Sequence, residues 1–205
     1  MGALRNRSSP MNTPRIGIII GTTREGRFGE VPAHWLQDIG QQRGDLAFEL
    51  LDLRDYPLPF FDEAAPPAYA APKNEVAVRW AAKLAALDGF VVTVAEYNHS
   101  MPAVLKNALD YAYACFNRKP IAMLGYGSVG GSRAVEQVRQ VASSLQMVSV
   151  PAAVSIGWVE YLSMAKQEKR FADHPHLAQG AVAMLDDLAW WARALKTARE
   201  AVAAA

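Results

Sequence analysis

Gly21 ends an apolar run, and Thr22, Thr23, Arg24 and Arg27 follow it closely in GTTREGRFGE. Two hydroxyls and two guanidinium groups so close together suit an anion, and arginine grips phosphate through two parallel bonds. The pattern turns helical near Glu30, so the free N–H groups and dipole of a helix N-terminus favour negative charge at the same place. A triphosphate fits poorly. Gly21 and Gly26 have the P-loop spacing, but Arg27 and Phe28 stand where that loop needs lysine and a hydroxyl. The dinucleotide pattern G-x-G-x-x-G is missing from this loop as well. A terminal monophosphate fits better, and an ordinary strand-to-helix turn with surface arginines accounts for the same residues.

Two further stretches carry chemistry. AEYNHSMP, residues 95–102, follows the most apolar run of the chain. Asn98 and backbone groups there can hydrogen-bond a flat heterocycle, and Tyr97 can flank it. A helix cap at Ser100, with Pro102 in the first turn, explains the same residues without a ligand. GYGSVGGSRA, residues 125–134, has four glycines within seven residues. Such a loop brings backbone N–H groups close to a ligand, and Tyr126 and Ser128 are placed to touch it. Its other reading is a turn entering a helix capped by Ser132.

These loops need a scaffold that brings them together. Residues 15–20, 47–53, 89–95, 121–124 and 147–156 read as strands. Helical spacing covers 30–42 and 74–87, a helix starts at Pro102, and others cover 132–145 and the chain from Pro175 onward. Residues 56–72 hold five prolines without any period and read as a loop over a site or an interface. Apolar strands alternating with helices imply a parallel sheet covered on both faces, with ligands beyond the carboxyl ends of its strands. The three loops then meet at one rim.

Composition narrows the functions. The chain has 205 residues, 51% of them hydrophobic, and a formal net charge of +1. That balance gives no pull toward nucleic acid or membrane. The one cysteine, Cys115, excludes an intrachain disulfide and fits a reducing cytoplasm. Residues 1–13 are polar and read as a flexible tail before one domain over 14–205. The four histidines show no metal-ligand spacing, so no metal is expected.

Taken together, the three motifs resemble the NAD(P)H-dependent FMN reductase family. GTTREGRFGE is similar to its G-[ST]-x-R-x-x-[SR] phosphate loop. AEYNHSMPAVLKNALDYAY is similar to its P-E-Y-N-x-[ST]-x-P-[AG]-x-L-K-N-A-[IL]-D segment, and GYGSVGG to its third flavin loop. The resemblance implies a flavodoxin-like three-layer sandwich with a five-stranded parallel sheet in order 2-1-3-4-5, and noncovalent FMN. It places Thr22, Arg24, Arg27, Phe28 and Gly29 in the phosphate loop, and Glu96, Tyr97 and Asn98 along the isoalloxazine. Gly127, Ser128, Gly130 and Gly131 fall near the pyrimidine end. Ala95 departs from the family's proline, and Arg27 from its commoner serine.

The implied activity is an oxidoreductase in which NAD(P)H passes hydride to flavin N5, and a small acceptor then takes the electrons in a ping-pong cycle. That acceptor is a quinone, free flavin, azo dye or metal oxyanion. No catalytic side chain is obligatory, and His99 reads as a loop or subunit contact. Asp52, where a dinucleotide fold places its ribose acid, reads as a strand-end cap. Relatives form homodimers or homotetramers, so a homo-oligomer is expected. A flavin-binding electron carrier or regulatory module without turnover is the competing reading. Flavodoxin carriers are strongly acidic, whereas 21 basic residues here meet 20 acidic ones. A hydrolase or nucleotide binder ranks last, for want of G-x-S-x-G and a Walker lysine.

Overall fold

The computed structural model describes residues 13–203. The tail expected over 1–13 therefore lies, apart from Thr13, outside the described residues. Five strands form one sheet: β1 (Arg15–Ile20), β2 (Ala47–Asp52), β3 (Gly89–Ala95), β4 (Pro120–Tyr126) and β5 (Val148–Ile156). All pair in parallel, in the order β2-β1-β3-β4-β5. This is the flavodoxin-like order that the motifs imply.

The central strands are buried on both faces, which is why β3 reads GFVVTVA without a polar alternation. Successive side chains point to opposite sides. Ile18, Val91 and Leu124 pack on one face with Leu36, Leu185 and Leu188, from α1 (Glu30–Gln41) and α6 (Pro175–Ala203). Ile19, Phe90 and Val92 pack on the other with Trp80, Leu105 and Val138. Those three come from α2 (Glu75–Ala85), α3 (Ala103–Asp110) and α4 (Ser132–Ser144). A further helix, α5 (Trp158–Ala165), follows β5 directly, and the sequence reading leaves it out.

Parallel strands bring all their carboxyl ends to one rim, and backbone bonds extend the sheet beyond them. Gly21 N–H donates to the Thr93 carbonyl at 3.1 Å, and Glu96 N–H to the Tyr126 carbonyl at 3.0 Å. These bonds fix where the first and second loops leave the sheet. No described helix is long and apolar enough to cross a membrane.

Candidate functional site

The first loop wraps the end of β1 and enters α1. Gly29 is the helix N-cap and supplies no side-chain cap. Beneath that open end the hydroxyls of Thr22 and Tyr126 are buried against each other, with no other hydrogen-bond partner among the described residues. Both are held against the same α-carbon. A β-carbon on Gly29 would lie 2.8 Å from Tyr126 Oη and 3.2 Å from Thr22 Oγ1. Thr93 closes the group, donating to the Gly29 carbonyl at 3.3 Å. Burial pushes the Tyr126 phenol up to about 12, so it is a neutral donor at physiological pH. Buried polar atoms almost always find partners. Two buried hydroxyls with only each other as partner, under a helix N-terminus without a side-chain cap, form a polar cluster that suits an anion.

The two loop arginines differ. Arg24 is exposed, makes no ion pair among the described residues, and lies over the Tyr97 ring at 5.9 Å from its centroid. Its cation is available to an anion. Arg27 is 6% exposed, and its guanidinium turns away onto Asp52, Glu30 and the Thr22 carbonyl. Burial alone would lower its pKa, but the two carboxylates outweigh that and raise it. Burial likewise opposes ionisation of Asp52, yet its bonds to Arg27 and to Arg54 N–H hold the carboxyl below its usual range. Asp52 does cap the turn after β2, and it also anchors Arg27, which its place at a strand end did not announce. Phe28 is packed edge-on between Tyr126, at 5.4 Å, and Tyr161, at 5.0 Å.

In the second loop, Tyr97 and Ser100 exchange backbone bonds of 2.9 and 3.0 Å across a tight turn. Asn98 (φ 49°) and His99 (φ 68°) form its tip in the left-handed region. Asparagine and histidine are among the non-glycine residues that adopt that conformation most readily, and the two bonds hold it. Tyr97, Asn98 and His99 are exposed at the rim. Ser100 does not cap α3. Its hydroxyl donates to Gln137 Oε1 at 2.5 Å, and Pro102 is the N-cap.

Glu96 links the second loop to the third. Its carboxylate accepts from Arg133 Nη1 at 2.5 Å and from Arg133 N–H at 3.2 Å. The start of α4 is thus satisfied by Glu96, and Ser132 is not its cap: the N-cap is Gly131. Gly131 has φ 71°, and a β-carbon there would meet Tyr126 N at 2.5 Å, so no other residue fits. Gly127 lies beside Glu96, Gly130 is buried against Ser155, and Ser128 is exposed.

The fold thus joins Thr22, Gly29 and Tyr126 in one cluster, Arg24 and Tyr97 in a second, and Glu96 and the 127–131 loop in a third. A cavity of about 540 Å³ lies outside them, between Gly26–Phe28 and Tyr161, Met164 and Phe171. It includes nothing from the second or third loop. No group of three metal-ligating side chains occurs among the described residues.

A sequence profile of the NADPH-dependent FMN reductase family matches residues 14–160. The chain belongs to that family. An NAD(P)H-dependent FMN reductase of Schizosaccharomyces pombe is 36% identical over 141 residues, covering 68% of this chain and 70% of that protein. A 2-hydroxy-1,4-benzoquinone reductase of a Burkholderia species is 32% identical over 141 residues, covering 65% and 73%. The flavoenzyme NAD(P)H:(acceptor) oxidoreductase FerB of Paracoccus denitrificans shares the fold, with a TM-score of 0.66 at 21% identity over 85% of this chain and 97% of that one. As a member of this family, the reductase is an oxidoreductase.

Proposed function

We propose that this reductase binds FMN noncovalently at the rim and uses it to pass reducing equivalents from NAD(P)H to a small acceptor. The observation that carries the reading is the pair of buried hydroxyls, Thr22 and Tyr126, which have no partner but each other under the uncapped N-terminus of α1. Those hydroxyls, the helix N-terminus and Arg24 hold the phosphate. Arg24 leaves the Tyr97 ring to do so, which frees that ring to flank the isoalloxazine beside Asn98. Backbone N–H groups of residues 127–131 face the pyrimidine edge and stabilise negative charge there.

When bound, FMN accepts hydride from NAD(P)H and yields electrons to the acceptor; the protein supplies position and electrostatics. Tyr97 and Asn98 are exposed at the rim, so a flavin held beside them would stay accessible to donor and acceptor in turn, which would give ping-pong kinetics. No side chain need transfer a proton. A quinone is the favoured acceptor class, supported by the name of the Burkholderia relative; free flavin, azo dyes and metal oxyanions belong to the same proposal.

The reductase acts as a homo-oligomer in a reducing cytoplasm. Phe60 supports the first point. The backbone around it is pinned by Asn107, which accepts from Phe61 N–H at 2.9 Å and donates to the Pro59 carbonyl at 2.7 Å. The Phe60 ring is nonetheless 81% exposed, and a rigidly presented aromatic suits a second copy.

Anaerobic addition of NADPH to the FMN-loaded protein tests the reading. The flavin absorbance bleaches, and a quinone added afterwards restores it without further NADPH. A yellow protein inert to both NADPH and NADH contradicts turnover and leaves a carrier.

A further inference from the structure

Four hydrogen bonds hold the Arg27 guanidinium within the protein, and its fifth N–H lies beside the Glu30 carboxylate. Nε donates to Glu30 Oε1 at 2.8 Å. Nη1 reaches the Thr22 carbonyl and, at 2.8 Å, Asp52 Oδ1. Nη2 reaches Asp52 Oδ2 and lies 2.6 Å from Glu30 Oε1. The side chain is 1% exposed, and no donor remains for a ligand.

Arg54 repeats the grip from further out. Its Nε donates to the Thr23 carbonyl at 3.3 Å and its Nη2 to the Arg24 carbonyl at 2.7 Å. Its Nη1 donates to Glu30 Oε1 at 3.1 Å, and its backbone N–H to Asp52 Oδ1 at 2.8 Å. Three consecutive carbonyls, those of Thr22, Thr23 and Arg24, are therefore held by two arginines, and two carboxylates hold the arginines. Across a trans peptide the C=O and the next N–H point in opposite directions. The N–H groups of Thr23, Arg24 and Glu25 consequently turn to the far side of the loop. Successive N–H groups presented together make a concavity for an anion.

We propose that Arg27 and Arg54 are positioning residues for the coenzyme phosphate. They fasten the loop's carbonyls on one side so that its N–H groups receive a monophosphate on the other, and neither side chain touches the phosphate. The proposal rests on the FMN reading above. The four charges, two of each sign, cancel, so the network shapes the loop without adding net attraction. That leaves Arg24 as the cation that meets the ligand.

Asp52→Asn separates a positioning role from direct contact. It keeps both arginines and releases part of the Arg27 fork. A positioning role predicts FMN affinity lower by several-fold to tens-fold, unchanged riboflavin affinity, and a shifted ³¹P resonance for bound FMN. If Arg27 is itself a phosphate ligand, freeing it and removing a nearby negative charge tightens FMN binding. That result, or an unchanged affinity, overturns the proposal.

Arg54→Met acts at a side chain 41% exposed, where folding is not at risk. The same selective loss is expected, and equal FMN affinity contradicts the proposal. Arg27→Lys keeps the charge but has three donors, so it stays weak for FMN; wild-type affinity there shows that charge alone suffices. A wild-type protein that binds neither FMN nor riboflavin refutes the FMN reading itself and takes the positioning role with it. That failure is visible before any variant is made.

Discussion

Glu96 and Arg133 form a clasp between two loops. One carboxylate oxygen accepts the arginine's side chain at 2.5 Å, and the other accepts its backbone N–H at 3.2 Å. The Glu96 side chain is 4% exposed and that of Arg133 43%. The bond fixes the 127–131 loop relative to the end of β3. Glu96→Ala should cost roughly 1–3 kcal/mol, the range for hydrogen bonds to a charged, buried partner. Thermal unfolding checks the stability, and a flavin titration should show weaker binding of FMN and riboflavin alike, because the ring edge is what loosens.

Arg24 should behave differently. Its guanidinium meets the ligand through charge, so Arg24→Ala lowers FMN affinity by tens-fold or more, the size of one or two charge-assisted bonds. Riboflavin affinity changes little, and so does the melting temperature. Fluorescence quenching of the two flavins measures the ratio directly.

Gly29 gives a test by shape. A β-carbon there would meet Tyr126 Oη at 2.8 Å, inside contact distance. Gly29→Ala should lower the melting temperature, and adding Tyr126→Phe should recover most of the loss by removing the oxygen that is struck. Tyr126→Phe alone costs little stability, about 1 kcal/mol or less, since Thr22 is the only partner its hydroxyl has among the described residues. It should still weaken FMN binding. Calorimetry on the three variants checks both halves.

Lys119 supplies a pH dependence. It is 5% exposed, and its ammonium donates to the Leu84 and Ala85 carbonyls at the end of α2, at 2.9 and 3.2 Å. Burial, with the nearby Arg199 charge, lowers its pKa from 10.5 to about 8. Below pH 8 both the folded and the unfolded chain carry the charge, and the fold bears its desolvation. Between about 8 and 10.5 the unfolded chain binds more protons, so this residue makes stability rise with pH, at up to about 1.4 kcal/mol per unit. Two N–H groups remain on the neutral amine for the two carbonyls. Denaturant melts of wild type and Lys119→Met between pH 7 and 10 should diverge in that direction.

The sheet was legible because its strands are buried on both faces and leave almost unbroken apolar runs. The five runs alternate with helices, and few topologies remain for them. The loops could be placed at one rim for the same reason. Side-chain partnerships were less legible. Nothing local marks Arg27 as a partner of Asp52, 25 residues on, because only the parallel pairing of β1 with β2 brings those strand ends together. Ser100 and Ser132 look like caps by type and position, yet Gln137 takes the first and Glu96 does the work expected of the second. Helix α5 leaves little mark in the sequence because it is eight residues long and begins Trp-Val, with no side-chain cap. So short an apolar stretch has too few turns for its period to show.

The most direct measurement is an equilibrium titration of the cofactor-free protein with FMN and, separately, with riboflavin. One FMN per chain should bind with quenched fluorescence, and riboflavin should bind far more weakly, because the first loop is built for a phosphate. A folded protein that leaves FMN fluorescence unchanged at saturating concentration, or that binds both flavins equally well, contradicts the account.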